Sequence, residues 1–185
     1  MKCAVLALSL LPAAVSAQAT QLESQPERGT GRLAIQFSGA EFALSLAVPS
    51  ADIVGFERPA ASDEDRALVA VAISDLSKPL ELFVLPEEAG CFTASANVAL
   101  TSDAQGEPTQ AIGAETSPSE TPELSEFQAD YVIQCQSIEA LNTIEFAYFD
   151  RFEATQKFQV SVERSDGLHT FDVTRATPLV DLSGL

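Results

Sequence analysis

The sequence predicts an α+β domain: a mainly antiparallel β-sheet built from hairpins, one main helix packed on a face, and a long disordered acidic loop. Three observations carry that expectation. Two stretches of alternating apolar residues fold back on themselves about recognisable turns, near Gly39 and Gly167. One stretch after Ser62 has helical spacing and a helix-start signature. Between two strand-like runs, residues 101–125 read TSDAQGEPTQAIGAETSPSETPELS, with Ile112 the single large apolar residue before Leu124.

The first hairpin is defined by agreement between turn and register. Leu33, Ile35 and Phe37 alternate with polar or small residues, as do Phe42, Leu44, Leu46 and Val48. A two-residue turn at Gly39-Ala40 sets Phe37 against Phe42, Ile35 against Leu44 and Leu33 against Leu46, all on one face, and Gly39 suits the first position of a type II′ turn. Pro49 ends the second strand. Residues 49–59, PSADIVGFERP, read as an irregular connector with Ile53, Val54 and Phe56 turned inward. Ser62 is a helix N-cap, Asp65 completes an approximate capping box, and Asp63 and Glu64 complement the helix dipole. Leu68, Val69, Ala72, Ile73 and Leu76 then form one apolar stripe, ended by Lys78-Pro79. A short helical turn over 80–85 follows.

Residues 92–100 and 127–135 alternate as strands and pair as a hairpin with a long loop. The loop composition, 101–125, cannot bury enough apolar area to offset the entropy of ordering it. Cys91 shares a face with Thr93 and Ser95, whereas Cys135 shares one with Tyr131 and Ile133, so Cys91 belongs before the strand proper or at a bulge. Residues 143–146 suit a brief strand and 148–152 a helical turn. Asp166-Gly167 is a type I′ turn signal that sets Val162 against Phe171 and Val160 against Val173. The domain therefore spans 32–182, with the disordered insertion at 101–125.

Length and composition set the outer limits. A chain of 185 residues with 46% hydrophobic content makes one domain with a real core. Ten Lys and Arg face 27 Asp and Glu, a net charge of −17. That surface repels phosphate backbones and anionic lipid heads, which argues against nucleic acid and membrane-surface partners. It suits solubility, cationic partners or metal ions. The N-terminus reads as a secretory signal peptide over 1–19: Lys2, an apolar run over 3–15, and cleavage after Ala19 or Ala17. A flexible lead-in over 20–31 follows. No later stretch reaches membrane-spanning length, so the mature protein is expected to be soluble and periplasmic. Its two remaining cysteines, Cys91 and Cys135, most simply form one disulfide in an oxidising compartment. Two metal-binding thiolates would need partner Cys or His residues nearby.

Six stretches, taken in order, resemble the ZrgA family of secreted bacterial proteins. They are the first hairpin, PSADIVGFERP at 49–59, the capped helix, LFVLPEEAGC at 82–91, YVIQC at 131–135 and FAYFDRF at 146–152. DIVGFE (52–57) and LPEEAGC (85–91) are the most specific. The resemblance implies a periplasmic protein that binds zinc, assists its uptake and works with a periplasmic metal-uptake component. It also implies histidines just after the signal peptide, directly after the GFE segment, and densely between the two cysteines. This sequence has none there: 20–31 lack histidine, Arg58 follows Gly55-Phe56-Glu57, and 101–125 carry Asp103, Glu107, Glu115, Glu120 and Glu123. The expectation is a zinc-family relative whose own metal binding is weakened. The alternative is a periplasmic structural or protein-interaction module that binds no metal.

Zinc prefers three or four converging imidazole and thiolate ligands. The one histidine, His169, is the weak candidate ligand, on the inward face with Phe171 and Val173 and opposite Arg164. The tract acids lack the D-x-D-x-D-G spacing of a calcium loop. No G-x-S-x-G context or phosphate-binding glycine loop occurs, and no tryptophan is present to stack a sugar. The chain is therefore not expected to be an enzyme.

Overall fold

The computed structural model describes residues 27–102 and 125–184. The expected signal peptide, most of the lead-in and 103–124 of the tract lie outside the described residues. The elements in order are β1 (Thr30–Ser38), β2 (Glu41–Pro49), α1 (Ser50–Val54), α2 (Asp63–Leu76), α3 (Pro79–Leu82), β3 (Cys91–Ser102), β4 (Ser125–Cys135), β5 (Thr143–Glu145), α4 (Tyr148–Arg151), β6 (Lys157–Arg164), β7 (Gly167–Thr174) and β8 (Leu179–Asp181). Six strands form one sheet in the order β3-β4-β2-β1-β6-β7, and β5 and β8 make a second, two-stranded one. The α+β class holds, with one addition: β1 and β6 run parallel, Leu33 beside Val160 and Ile35 beside Val162. The other four pairings of the large sheet are antiparallel.

One face of the sheet carries the core. Leu33, Ile35, Phe42, Leu44, Leu46, Phe127, Tyr131, Ile133, Phe158, Val160 and Val162 are all buried there. Alternation puts those side chains on one face and leaves their neighbours, Ser45, Asp130 and Glu163 among them, to solvent. The β1–β2 register matches the sequence expectation pair for pair: Phe37 with Phe42, Ile35 with Leu44, Leu33 with Leu46. Aromatic side chains from 146–158 fill the space over β6. Tyr148 meets Phe158 edge-on at 4.8 Å and Phe83 meets Phe146 edge-on at 5.2 Å, arrangements favoured by the ring quadrupole.

The helix α2 forms as its N-terminal signature requires. Ser62 Oγ accepts from the Asp65 N–H at 3.0 Å, and the Asp65 carboxylate accepts from the Ser62 N–H at 3.1 Å. At its other end Tyr131 Oη donates to the Leu76 carbonyl at 2.7 Å, pinning the helix to the sheet. The apolar stripe is narrower than expected. Ala72 and Leu76 are buried and Val69 and Ile73 half-buried, but Leu68 is 46% exposed. Asp65, four residues from Val69, takes the inward position at the first turn instead.

Three further expectations need correction. The connector at 49–59 is not irregular throughout: Ser50–Val54 is one helical turn, closed by Gly55 at φ 83°. Its buried residues are Ser50 and Asp52, while Ile53, Val54 and Phe56 are only half-buried. In the last hairpin Arg164 pairs with Gly167, Val162 with His169 and Val160 with Phe171, a register two residues from that expected. The turn is Ser165-Asp166, and it is not type I′, since among the described residues none but glycine has positive φ; Gly167, at φ 142°, follows it. Finally, β1 starts at Thr30, so the end of the expected lead-in is strand, as are Thr101, Ser102 and Ser125 at the two ends of the tract.

The cysteine problem resolves through a bulge. Cys91 lies directly opposite Cys135, and the register then shifts between Thr93 and Ser95. One extra residue on β3 reverses which side chains point inward. Cys91 and Thr93 face the core before the shift; Ala96, Val98 and Leu100 face it afterwards. The disulfide closes at the bulged end, with Cα atoms 3.9 Å apart.

Candidate functional site

A buried polar arrangement is built around α1. Pro49 ends β2 and forces the chain off the sheet, so Ser50 and Asp52 turn under the corner and become buried, 0% and 7% exposed. Buried polar groups must find partners, and these do. Ser50 Oγ donates to the Phe56 carbonyl at 2.6 Å and lies 2.5 Å from Ser125 Oγ. Ser125 Oγ also donates to the Glu57 carbonyl at 2.8 Å. The Asp52 carboxylate accepts from the Gly29 N–H at 2.7 Å. Beside it Arg28 grips Glu57 with two parallel hydrogen bonds of 2.9 and 2.8 Å.

Electrostatics differ between the two acids. Burial pushes the Asp52 carboxyl above its ordinary range, against the pull of the Gly29 hydrogen bond and the Arg28 charge. The Arg28 hydrogen bond holds Glu57 below its ordinary range. Arg58, the residue after the GFE segment, turns away to α2. Its guanidinium donates to both oxygens of Asp65 at 2.7 and 3.0 Å and lies 4.9 Å over the Phe56 ring. That pairing, with the capping-box bonds, holds Asp65 well below the carboxylate range.

The corner therefore joins three distant parts of the chain. The N-terminal segment arrives at Arg28 and Gly29, the GFE segment crosses at Phe56 to Arg58, and the tract joins the fold at Ser102 and Ser125, which pair across the hairpin. These are the three places at which the resemblance implies histidines. The residues in hand are Arg28, Arg58 and Ser125.

The expected metal candidate lies elsewhere. His169 sits at the far end of the last hairpin, opposite Val162 rather than Arg164. Its Nε2 is 3.2 Å from Asp166 Oδ2, and the side chain is partly exposed. Arg164 stacks instead on Phe37, 4.1 Å from the ring centre. Among the described residues no group of three or more His, Cys, Asp or Glu side chains is placed to hold a metal ion. Among them, too, no helix is long and apolar enough to cross a membrane. Ser50, Asp52, Arg28 and Ser125 were not legible as a cluster; the one available signal was the specific DIVGFE stretch, whose polar residues read as loop.

Fold and corner define the class: an α+β domain with one disulfide-closed hairpin and a polar corner where an N-terminal segment, a one-turn helix and a long insertion meet. No curated protein matches the chain. It belongs to the ZrgA family of zinc uptake proteins, whose pattern matches residues 25–182. Membership supports a zinc-related role.

Proposed function

We propose that the chain is a periplasmic, non-catalytic accessory of zinc uptake whose own metal affinity is reduced, so that the metal is held mainly by an uptake partner. One observation carries this reading. The corner that gathers the family's three histidine-bearing segments presents guanidinium groups here, and Arg58 is committed to Asp65 and Phe56. A guanidinium stays protonated, offers no lone pair and cannot ligate zinc. The neighbouring carboxylates, Asp52 and Glu57, already serve Gly29 and Arg28. Carboxylates without imidazole or thiolate support hold zinc weakly.

Calorimetry with zinc on metal-stripped protein tests the reading. We expect no stoichiometric site tighter than about micromolar. One zinc per chain at nanomolar affinity, lost in His169→Ala, would restore a metal-carrier role and end this proposal.

A further inference from the structure

A groove of about 560 Å³ opens beside the two-stranded sheet, between the Leu85-Pro86-Glu87-Glu88 stretch and β5. Local chemistry explains why it stays open. Val84 and Glu145 exchange two backbone hydrogen bonds, of 2.8 and 2.9 Å, so a third strand begins beside β5. Pro86 has no N–H to continue that pairing, and the chain turns away through a 3-10 turn at Glu87–Ala89. The N–H and C=O of Thr143, two residues before Glu145 on the same strand, point to the same side as those of Glu145. Among the described residues they receive no backbone hydrogen bond from beyond the strand pairing. Side chains alternate across the small sheet. Ile144 and Val180 are buried, whereas Val84, Glu145 and Leu179 form one exposed row across three strands, a carboxylate between two aliphatic groups. Glu88 lines the same groove. Among the described residues neither Glu88 nor Glu145 has a side-chain hydrogen bond or ion pair.

We infer that this groove docks a basic segment of a different protein, with an Arg or Lys side chain laid across the Val84–Glu145–Leu179 row. Such a side chain covers apolar surface with its alkyl stem while its charged head stays at a carboxylate, which is the complement of this row. Glu88 receives a second cation, and the Thr143 peptide groups receive the backbone. An exposed ion pair alone is worth little, so the apolar cover and the backbone bonds must add to it. Charge selects the occupant. Residues 103–124 of this chain carry Asp103, Glu107, Glu115, Glu120 and Glu123 and no Lys or Arg, and residues 1–26 carry Lys2 as their one Lys or Arg. A second copy sets a net charge of −17 against −17. Its Arg28, Arg32, Arg58, Arg66, Lys78 and Arg151 are already paired with carboxylates of their own chain. A basic partner meets no such repulsion and is steered in by the whole acidic surface. The groove shares no residue with the polar corner, so docking there does not depend on the chain's own zinc affinity.

The probe is a capped pentapeptide of alternating arginine and valine, titrated into the isotopically labelled protein and followed by NMR. The expected result is saturable binding that weakens as salt is raised, with shifts concentrated in 84–88, 142–145 and 179–181. The same peptide with citrulline in place of arginine should bind at least tenfold more weakly. Glu88→Gln with Glu145→Gln should weaken arginine-peptide binding at least tenfold. Leu179→Ser leaves the charge unchanged and should weaken it at least threefold, because the stem loses its cover. Glu64→Gln with Asp172→Asn removes two exposed acids outside the groove and should leave binding unchanged. Shift mapping on the unmutated protein needs no variant to fold. Absence of saturable binding, shifts spread over the surface, or equal losses in the two acid-neutralised pairs would reduce the effect to diffuse charge attraction and overturn the proposal. Shifts of the groove residues with protein concentration alone would place a second copy there and overturn it too.

Discussion

At Gly31 a single hydrogen atom decides how closely β1 and β6 approach. A Cβ built there would lie 2.2 Å from the Phe158 ring, and Phe158 is itself fully buried among other aromatics. Gly31→Ala must therefore move a packed ring, and should cost about 2–3 kcal/mol in denaturant melts. A second residue-scale test concerns Asp52. Its folded carboxyl titrates above the unfolded value because it is buried. In the window from about pH 4 upward the folded state then holds more protons than the unfolded one, so this group's contribution falls as pH rises. Asp52→Asn keeps an acceptor for the Gly29 N–H and removes that penalty. The variant should match or exceed the parent in stability at neutral pH, and the advantage should vanish toward about pH 3. An advantage that grew on acidification would contradict the buried, raised carboxyl.

At the scale of elements, the β3–β4 hairpin is held at one end by Cys91–Cys135 and at the other by the Ser125 hydroxyl contacts to Ser50 and Glu57. The disulfide spans 44 residues of sequence. Closing a loop of that size stabilises by about 4 kcal/mol in the chain-entropy model. Cys91→Ser should lower the melting temperature by about 8–16 °C, and two reactive thiols in the native, unreduced protein would show that the bond does not form. The α2 cap gives a smaller, separable effect. Ser62→Ala removes the acceptor for the Asp65 N–H and should cost about 1 kcal/mol, measured by urea unfolding.

At the scale of the molecule, the sheet is closed by residues far apart in sequence. Gln36 Nε2 donates to Glu163 Oε2 across 127 residues, and every β1–β6 pair is of that kind. The strands β6 and β7 also supply Phe158, Val160, Val162 and Val173 to the core. A chain ending at Gln156 would expose β1 as a bare edge and uncover the aromatic cluster, so it should lose its cooperative thermal transition. A retained sharp melt would mean that β3, β4, β2 and β1 fold without the rest.

The parts legible in the sequence were those with local signals. Turn chemistry and period-two alternation placed Phe37 opposite Phe42, capping residues placed the start of α2, and the expectation of an oxidising compartment paired Cys91 with Cys135. Each depends on neighbours within a few residues, or on composition. The β6–β7 register shows where alternation stops being informative. A slip of one residue turns every side chain over, but a slip of two leaves both faces unchanged, so Val162 could be set against Phe171 as readily as against His169. Tertiary structure alone settled that slip, the bulge that lets Cys91 face Cys135, and the parallel union of β1 with β6. It also buried Ser50 and Asp52, two polar residues that no apolar pattern marks, because besides the nearby Phe56 carbonyl what compensates them comes from Gly29 and Ser125, which only the folded chain brings near.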